Sequence, residues 1–259
     1  MITESISIGN KVIKLDAIES TNEYAGKLIQ NDNSVIEGTI VWAIDQTNGK
    51  GQRGSLWHSE SGKNLTFSLI LRPSFMNIEN QFLLSKVVSL GIKDFLENLL
   101  HVNMAENNFK VHVKWPNDIY VGSKKIGGIL IENNVREARL VSSIVGVGIN
   151  INQTSFSKEL NNPVSFQLLT GLEIDLEETL EAVLATLNIR YKQLRTNKIE
   201  EINSDYLRAL YQFDNFVNYL VNNKRVACKI VGVNKNGALQ LEKKNGDIIS
   251  CDYKEVVFI

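Results

Sequence analysis

The sequence predicts an α+β protein with a largely antiparallel sheet, followed by a small β-barrel. Three observations carry this. Short runs rich in β-branched and aromatic residues mix with longer runs of helical apolar spacing, without the strict alternation that builds a parallel sheet. Several strand-like runs follow one another through tight turns, as antiparallel hairpins do. From about Asn215 the helical runs stop, and short strands separated by two Lys-Asn-Gly turns take over. At 259 residues the chain can hold one large domain or two unequal ones. The boundary is placed after Phe213, giving a main domain over 1–213 and a small barrel over 214–259. A unit of 46 residues rarely stabilises itself alone, so the barrel is expected to pack on the main domain.

Taken in order, residues 11–16 (KVIKLD) and 39–45 (TIVWAID) read as strands. Between them, Ser20-Thr21-Asn22-Glu23 opens a short helix, with a hydroxyl as N-cap and an acid close behind. A polar, Gly-rich loop from Gln46 to Lys63 leads into Asn64–Leu71, whose alternation fits a half-buried strand. Residues 80–100 set Phe82, Leu83, Val87, Leu90, Phe95 and Leu99 at helical spacing. Residues 111–115 form a strand; 118–121 and 125–132 form a hairpin around Gly122-Ser123; residues 139–149 form another strand. Residues 177–195 and 198–212 read as helices. Barrel strands are expected at 226–233, 238–241, 248–251 and 256–259, with Asn236-Gly237 and Asn245-Gly246 supplying positive φ at the turns.

Composition narrows the function. A formal net charge of −1 argues against a protein built mainly to grip nucleic acid. Two cysteines, Cys228 and Cys251, cannot form a disulfide framework or a four-thiolate zinc site, and are read as small core residues. No apolar stretch approaches the ~20 residues that span a bilayer, and the N-terminus lacks a signal pattern. The expectation is a cytoplasmic protein. His58, His101 and His112 do not cluster, so all three are read as structural and no metal site is expected from side chains alone.

Two segments carry chemistry. Gly49-Lys50-Gly51-Gln52-Arg53-Gly54-Ser55-Leu56-Trp57 matches a dinucleotide fingerprint in letters, but no helix follows it, which rejects that reading. Its glycines still let backbone N–H groups approach an anion, beside the cations of Lys50 and Arg53. The second is Lys114-Trp115-Pro116-Asn117-Asp118, followed by Lys125-Ile126-Gly127-Gly128-Ile129-Leu130. Lys114 and Trp115 face opposite sides of a strand that Pro116 must end. Asn117, Asp118 and Lys125 then converge at the hairpin, and the paired glycines suit close approach of a ligand.

Together these segments resemble the biotin–protein ligases. That family carries a Gly-Arg-Gly-Arg-Arg-Gly-x-x-Trp loop, a Lys-Trp-Pro-Asn-Asp strand end, a Lys-φ-x-Gly-Ile-Leu strand and a Gly-φ-Gly-φ-Asn strand end. Here they correspond, in the same order, to Gly49–Trp57, Lys114–Asp118, Lys125–Leu130 and Gly146–Asn150. The resemblance implies a class II aminoacyl-tRNA synthetase/biotin ligase-like mixed sheet followed by an SH3-like barrel. It implies that ATP activates biotin to biotinyl-5′-AMP, and that biotin then passes to a lysine of a biotin carboxyl carrier protein.

The roles it implies are as follows. Ser20, Thr21 and Gln46 hold the ureido head of biotin, with Asn22 supporting the loop beside them. Gly49, Lys50, Gly51, Gln52 and Arg53 fold over the biotin carboxylate and the phosphates. Lys125 binds carboxylate and adenylate oxygens and is the first catalytic candidate, with Arg53 and Lys114 beside it. Asn117 and Asn150 lie toward the nucleotide, and Gly128 and Gly148 leave room for the biotin rings and tail. Trp57 either caps the adenine or buttresses the loop, core packing being favoured. Mg2+ is expected to come with ATP. Lys50 and Gln52 stand where the best-known loop has arginine, which retains charge at the first and removes it at the second.

The rival enzyme is a lipoate–protein ligase, which shares fold and adenylation chemistry; the loop, the Lys114–Asp118 segment and the barrel favour biotin. The rival outside catalysis is a biotin-sensing repressor. Only 19 residues precede Ser20, too few for a three-helix DNA-binding domain, so no operator binding is expected. The resemblance allows a homodimer.

Overall fold

The computed structural model describes residues 7–32, 34–104 and 109–259; of Arg53 only the backbone is described. The elements run β1 (Lys11–Ile18), α1 (Thr21–Asn31), β2 (Thr39–Gln46), β3 (Gly49–Lys50), β4 (Leu56–Trp57), β5 (Asn64–Leu71) and α2 (Phe82–Asn103). There follow β6 (Val111–Lys114), β7 (Asp118–Val121), β8 (Lys124–Arg136), β9 (Arg139–Asn150), α3 (Phe166–Thr170), α4 (Leu176–Arg195) and α5 (Ile199–Ala209). The chain closes with β10 (Val217–Val221), β11 (Lys224–Val233), β12 (Leu239–Lys243), β13 (Ile248–Cys251) and β14 (Val256–Phe258).

Seven strands form the main sheet in the order β1-β2-β5-β9-β8-β7-β6. Only β1 and β2 run parallel, because α1 carries the chain back between them; every other neighbour is antiparallel. The large core lies on one face, where Trp42, Phe67, Leu69 and Val145 meet α2 and α4 residues such as Leu84, Phe95 and Leu187. A smaller core on the other face joins Val41 and Ile70 to Ala25 of α1. Ser20 caps α1, its hydroxyl accepting from the Glu23 N–H.

Three expectations change. Strand β5 is buried along its whole length, not half-buried. Its apolar residues feed the large core, and its polar alternates, Asn64, Thr66 and Ser68, face protein partners. The loop from Gln46 to Lys63 contains a two-stranded ribbon, Gly49 against Trp57 and Lys50 against Leu56, closed by a short 3-10 turn over Gln52–Gly54. Helix α5 stops at Ala209, before the expected 212, because Leu210 leaves the helix to pair with Val113 at the sheet edge.

The C-terminal segment is a small antiparallel sheet in the order β13-β12-β11-β10-β14. It has five strands where four were expected; β10 was missed because Val217–Val221 is short and ends in two asparagines. Those asparagines, Asn222 and Asn223, form the two-residue turn with both φ values positive, 47° and 62°. At the Lys-Asn-Gly turns only the glycines, Gly237 and Gly246, have positive φ. Each closes a three-residue loop, with Gly237 N–H donating to Asn234 O and Gly246 N–H to Lys243 O. The small sheet is joined to the main sheet where the Trp115 indole N–H donates to Gly237 O at 2.8 Å, and Phe213 bridges Ile230.

Candidate active site

The site lies over the C-terminal part of β9 and the start of β8. There Gly128 pairs with Gly148 across the two strands. Two adjacent glycines leave a flat patch of sheet with no side chains above it. The ribbon β3–β4 folds back so that the Trp57 indole rests on that patch. A Cβ at Gly128 would stand 3.2 Å from Trp57 Cζ3, and one at Gly148 would overlap the indole ring. The sequence left this tryptophan between capping the adenine and buttressing the loop; its indole packs on the glycines and also lines two cavities.

The first cavity, of about 110 Å3, collects Ser20, Thr21, Asn22, Gln46, Lys50, Gly51, Gln52, Asn117, Lys125, Gly128 and Gly148. The second, of about 390 Å3, is lined by Lys114, Lys125 and Asn150. Ser55, Leu56, Trp57, Asp118 and Lys125 border both. Two predicted residues stand apart. Gly49 lines neither cavity among the described residues: it pairs with Trp57 in the ribbon, and a Cβ there would stand 2.6 Å from Gln46 Nε2. Arg53 lies on the 3-10 turn above the first cavity, and its side chain is outside the described atoms.

The floor of the first cavity is a chain of hydrogen bonds, buried at Ser68 and partly buried at Gln46 and Glu132. Gln46 Oε1 accepts from the backbone N–H of Thr21 at 2.9 Å and from its hydroxyl at 3.0 Å. Ser68 Oγ, with one proton to give, stands 2.8 Å from Thr21 Oγ1 and 2.6 Å from Asn22 Oδ1. Asn22 donates in turn to Glu132 Oε2 at 2.7 Å. Gly146 makes this possible, since a Cβ there would overlap Asn22 Oδ1. Such a chain fixes the rotamers and amide orientations of Thr21, Asn22 and Gln46 before any ligand arrives.

The charges are arranged differently. Lys125 Nζ is 2.7 Å from Asp118 Oδ1 and 5.7 Å from the centre of the Trp57 ring. The start of β8 is anchored on both sides of Lys125: its N–H donates to Asn162 O at 2.8 Å, and its C=O accepts from Val164 N–H at 2.9 Å. Lys114 Nζ donates to Tyr120 Oη at 3.1 Å and lies over the Phe258 ring of the small sheet at 5.2 Å. Burial, then the Asp118 charge, push the Tyr120 phenol above its ordinary range, so it stays protonated. At the rim, Lys50 pairs with Glu23 of α1. The hydrogen bond to Lys50 draws the Glu23 carboxyl below its ordinary value and raises that of Lys50. Asn117 lines the first cavity, its amide held by Ile129 O at 2.8 Å, although the sequence assigned it to the nucleotide. Asn150 donates to Val164 O at 3.0 Å beside the second cavity.

Sequence reasoning missed several contributors. Ser68 and Glu132 looked like polar alternates of ordinary strands. Phe156, Leu160 and Pro163 reach the second cavity from a connecting loop, and His58, read as structural, lines it too. Tyr253 enters the first cavity from the small sheet. Among the described residues no group of three His, Cys, Asp or Glu side chains could hold a metal ion, and no helix is long and apolar enough to cross a membrane.

Comparison with known proteins agrees with this geometry. The model of the biotin/lipoate A/B protein ligase family matches residues 15–150. The bifunctional ligase/repressor BirA of Bacillus spizizenii is 31% identical over 92% of this chain and 71% of its own length. A biotin–[acetyl-CoA-carboxylase] ligase of Paracoccus denitrificans is 30% identical over 73% of this chain and 76% of its own. Among solved structures, the biotin protein ligase of Aquifex aeolicus in complex with biotin and ATP superposes with a TM-score of 0.75 at 28% identity, covering 96% of this chain and 98% of that one.

Proposed function

The chain belongs to the biotin/lipoate A/B protein ligase family, and from that premise we propose how its two cavities activate and transfer biotin. The enzyme is an ATP-dependent biotin–protein ligase. One observation carries the assignment of its parts: Ser55, Leu56, Trp57, Asp118 and Lys125 border both cavities, and Lys125 is the cation among them, so two anionic substrates meeting at this wall meet at Lys125. Biotin takes the first cavity and ATP the second.

In this reading Ser20, Thr21 and Gln46 bind the ureido ring. Thr21 occupies Gln46 Oε1 and so leaves Nε2 as the amide's donor. The apolar rings and tail of biotin lie along Gly128 and Gly148 beside the Trp57 indole. The biotin carboxylate then reaches Lys125 and attacks the α-phosphorus of ATP. A carboxylate–phosphorus bond forms, the bond to the bridging oxygen breaks, and pyrophosphate leaves. Both reactants are anions, so the step needs fixed cations close to the reacting oxygens. Lys125 serves the carboxylate and α-phosphate oxygens, with Asp118 holding its Nζ in place. Arg53, Lys50 and Lys114 complete the positive rim, and Gln52 and Gly51 close over the adenylate. Asn150 and Asn117 position nucleotide and loop. In the second step the neutral amine of an acceptor lysine attacks the biotinyl carbonyl and AMP leaves. The acceptor proposed is a biotin carboxyl carrier protein or domain.

Mg2+ fits as a companion of the ATP phosphates. Described side chains offer no three-ligand cage, and this ion is commonly held through phosphates and water. It would neutralise phosphate charge.

Ligand-dependent ATP–pyrophosphate exchange tests the reading. Exchange is expected with biotin; exchange supported only by lipoate would overturn it.

A further inference from the structure

A third cavity, of about 270 Å3, opens on the seam between α2, α5 and the end of β11, and shares no residue with the two substrate cavities. Lys86, only 6% exposed, lines it. Its Nζ donates to Asn203 Oδ1 at 2.7 Å and lies 5.7 Å from the Phe82 ring and 5.6 Å from the Tyr206 ring. Among the described residues it has no ion pair, and no residue lining the cavity is acidic. Lys235 at the mouth is the only other charged group lining it. The Tyr206 hydroxyl is buried without a hydrogen-bond partner. Leu83, Ile199, Leu207 and Val233 add apolar walls.

A buried ammonium without a carboxylate is costly, because rings and one amide oxygen replace its hydration only in part. Burial accordingly lowers the Lys86 pKa to about 8. An anion delivered to Lys86 would restore a charge partner, and the apolar walls would accept a hydrophobic body. A doubly charged phosphate would pay a larger desolvation cost against a single buried cation.

We propose that this seam cavity binds a small monocarboxylate with an aromatic or branched apolar body, its carboxylate on Lys86 and Asn203. The ligand would bridge the main unit and the C-terminal sheet. Gly237 makes the seam tight: a Cβ there would stand 2.6 Å from Phe82 Cδ2.

The test is isothermal titration of the full chain with benzoate, benzamide and inorganic phosphate, in saturating biotin so that the proposed biotin carboxylate site is filled. Benzoate is expected to bind saturably at one site per chain. Benzamide should bind about tenfold more weakly or worse, the worth of a charge-assisted hydrogen bond. Titration at pH 8.5 in two buffers of different ionisation enthalpy should show proton uptake with benzoate, and Lys86→Met should remove both binding and uptake. Equal binding of benzoate and benzamide, stronger binding of phosphate, or no saturable binding of benzoate would overturn the proposal without any variant. Unchanged benzoate binding by a folded Lys86→Met protein would overturn it too. Repeating the titration without biotin keeps the result independent of the catalytic reading.

Discussion

The floor and the roof of the first cavity are made of opposite materials. The floor carries no cation around Thr21, Asn22, Gln46 and Ser68, its one carboxylate, Glu132, being taken up by Asn22, and its polar groups are tied to one another before a ligand arrives. The roof is a two-stranded ribbon whose cation, Lys50, is exposed and tied to Glu23 across the rim. The difference teaches where recognition and chemistry reside. A neutral ureido ring is read best by donors and acceptors that do not reorganise. Anions that enter and leave are handled better by surface cations that can exchange one partner for another, because exposed ion pairs are weak and salt-screened. Lys125 stands between the two regimes: its partner Asp118 is partly covered, and it borders both cavities.

Breaking the junction should have the largest effect. Lys125→Ala is expected to lower biotin-dependent pyrophosphate exchange about a hundred- to a thousandfold, the scale of losing a positioned charge-stabilising group; an unchanged circular dichroism spectrum would separate this from misfolding. Next comes the flat glycine patch of the first cavity, on which Trp57 rests. Gly148→Ala puts a methyl into the Trp57 ring and should raise the KM for biotin about tenfold, in line with the cost of overpacking.

The floor itself is tested by Ser68→Ala. Thr21 and Asn22 lose the hydroxyl between them, so thermal unfolding should show a loss of about 1 kcal/mol and the biotin KM should rise about fivefold. A change at the roof should be smaller and, unlike the floor, sensitive to salt. Glu23→Gln frees Lys50 and should shift the biotin KM by no more than about threefold, with the shift vanishing at high ionic strength. The Glu23 carboxyl is held below its ordinary value, so the wild-type pair persists above that lowered pKa. It is lost as pH falls through it, and there wild type and variant should converge. The smallest effect is expected from Gln52→Arg, which adds a forked donor to the roof. Stopped-flow release of biotinyl-5′-AMP should slow about twofold; unchanged release would mean that position 52 does not hold the adenylate.

Much of this site was legible in the sequence because its chemistry sits in short ordered segments. Lys125–Leu130 and Gly146–Asn150 each lie at one strand end, Lys114–Asp118 is the turn that joins β6 to β7, and strand pairing alone brings Gly128 against Gly148. What remained hidden depends on contacts between distant elements. Ser68 alternates as a solvent-facing residue would, and only the packing of α1 over β5 turns that face inward. The role of Trp57 stayed open between adenine cap and buttress because a ribbon within a polar loop leaves no periodic signal over two-residue strands. Pro163 and Phe156 carry no motif; they reach the second cavity because segment 162–164 pairs with Lys125. In the small sheet, the Asn-Gly pairs looked like two-residue turns, yet the positive φ pair fell on Asn222-Asn223.

The position of Trp57 has a spectroscopic consequence. The chain has three tryptophans. Trp42 and Trp115 are 2% and 5% exposed and packed in the core, away from both cavities. Of the three, Trp57 alone lines the two cavities, with an ammonium group 5.7 Å from its ring. Two emitters are thus an internal constant and the third is the signal, so intrinsic fluorescence of the unlabelled protein should follow the filling of each cavity in turn.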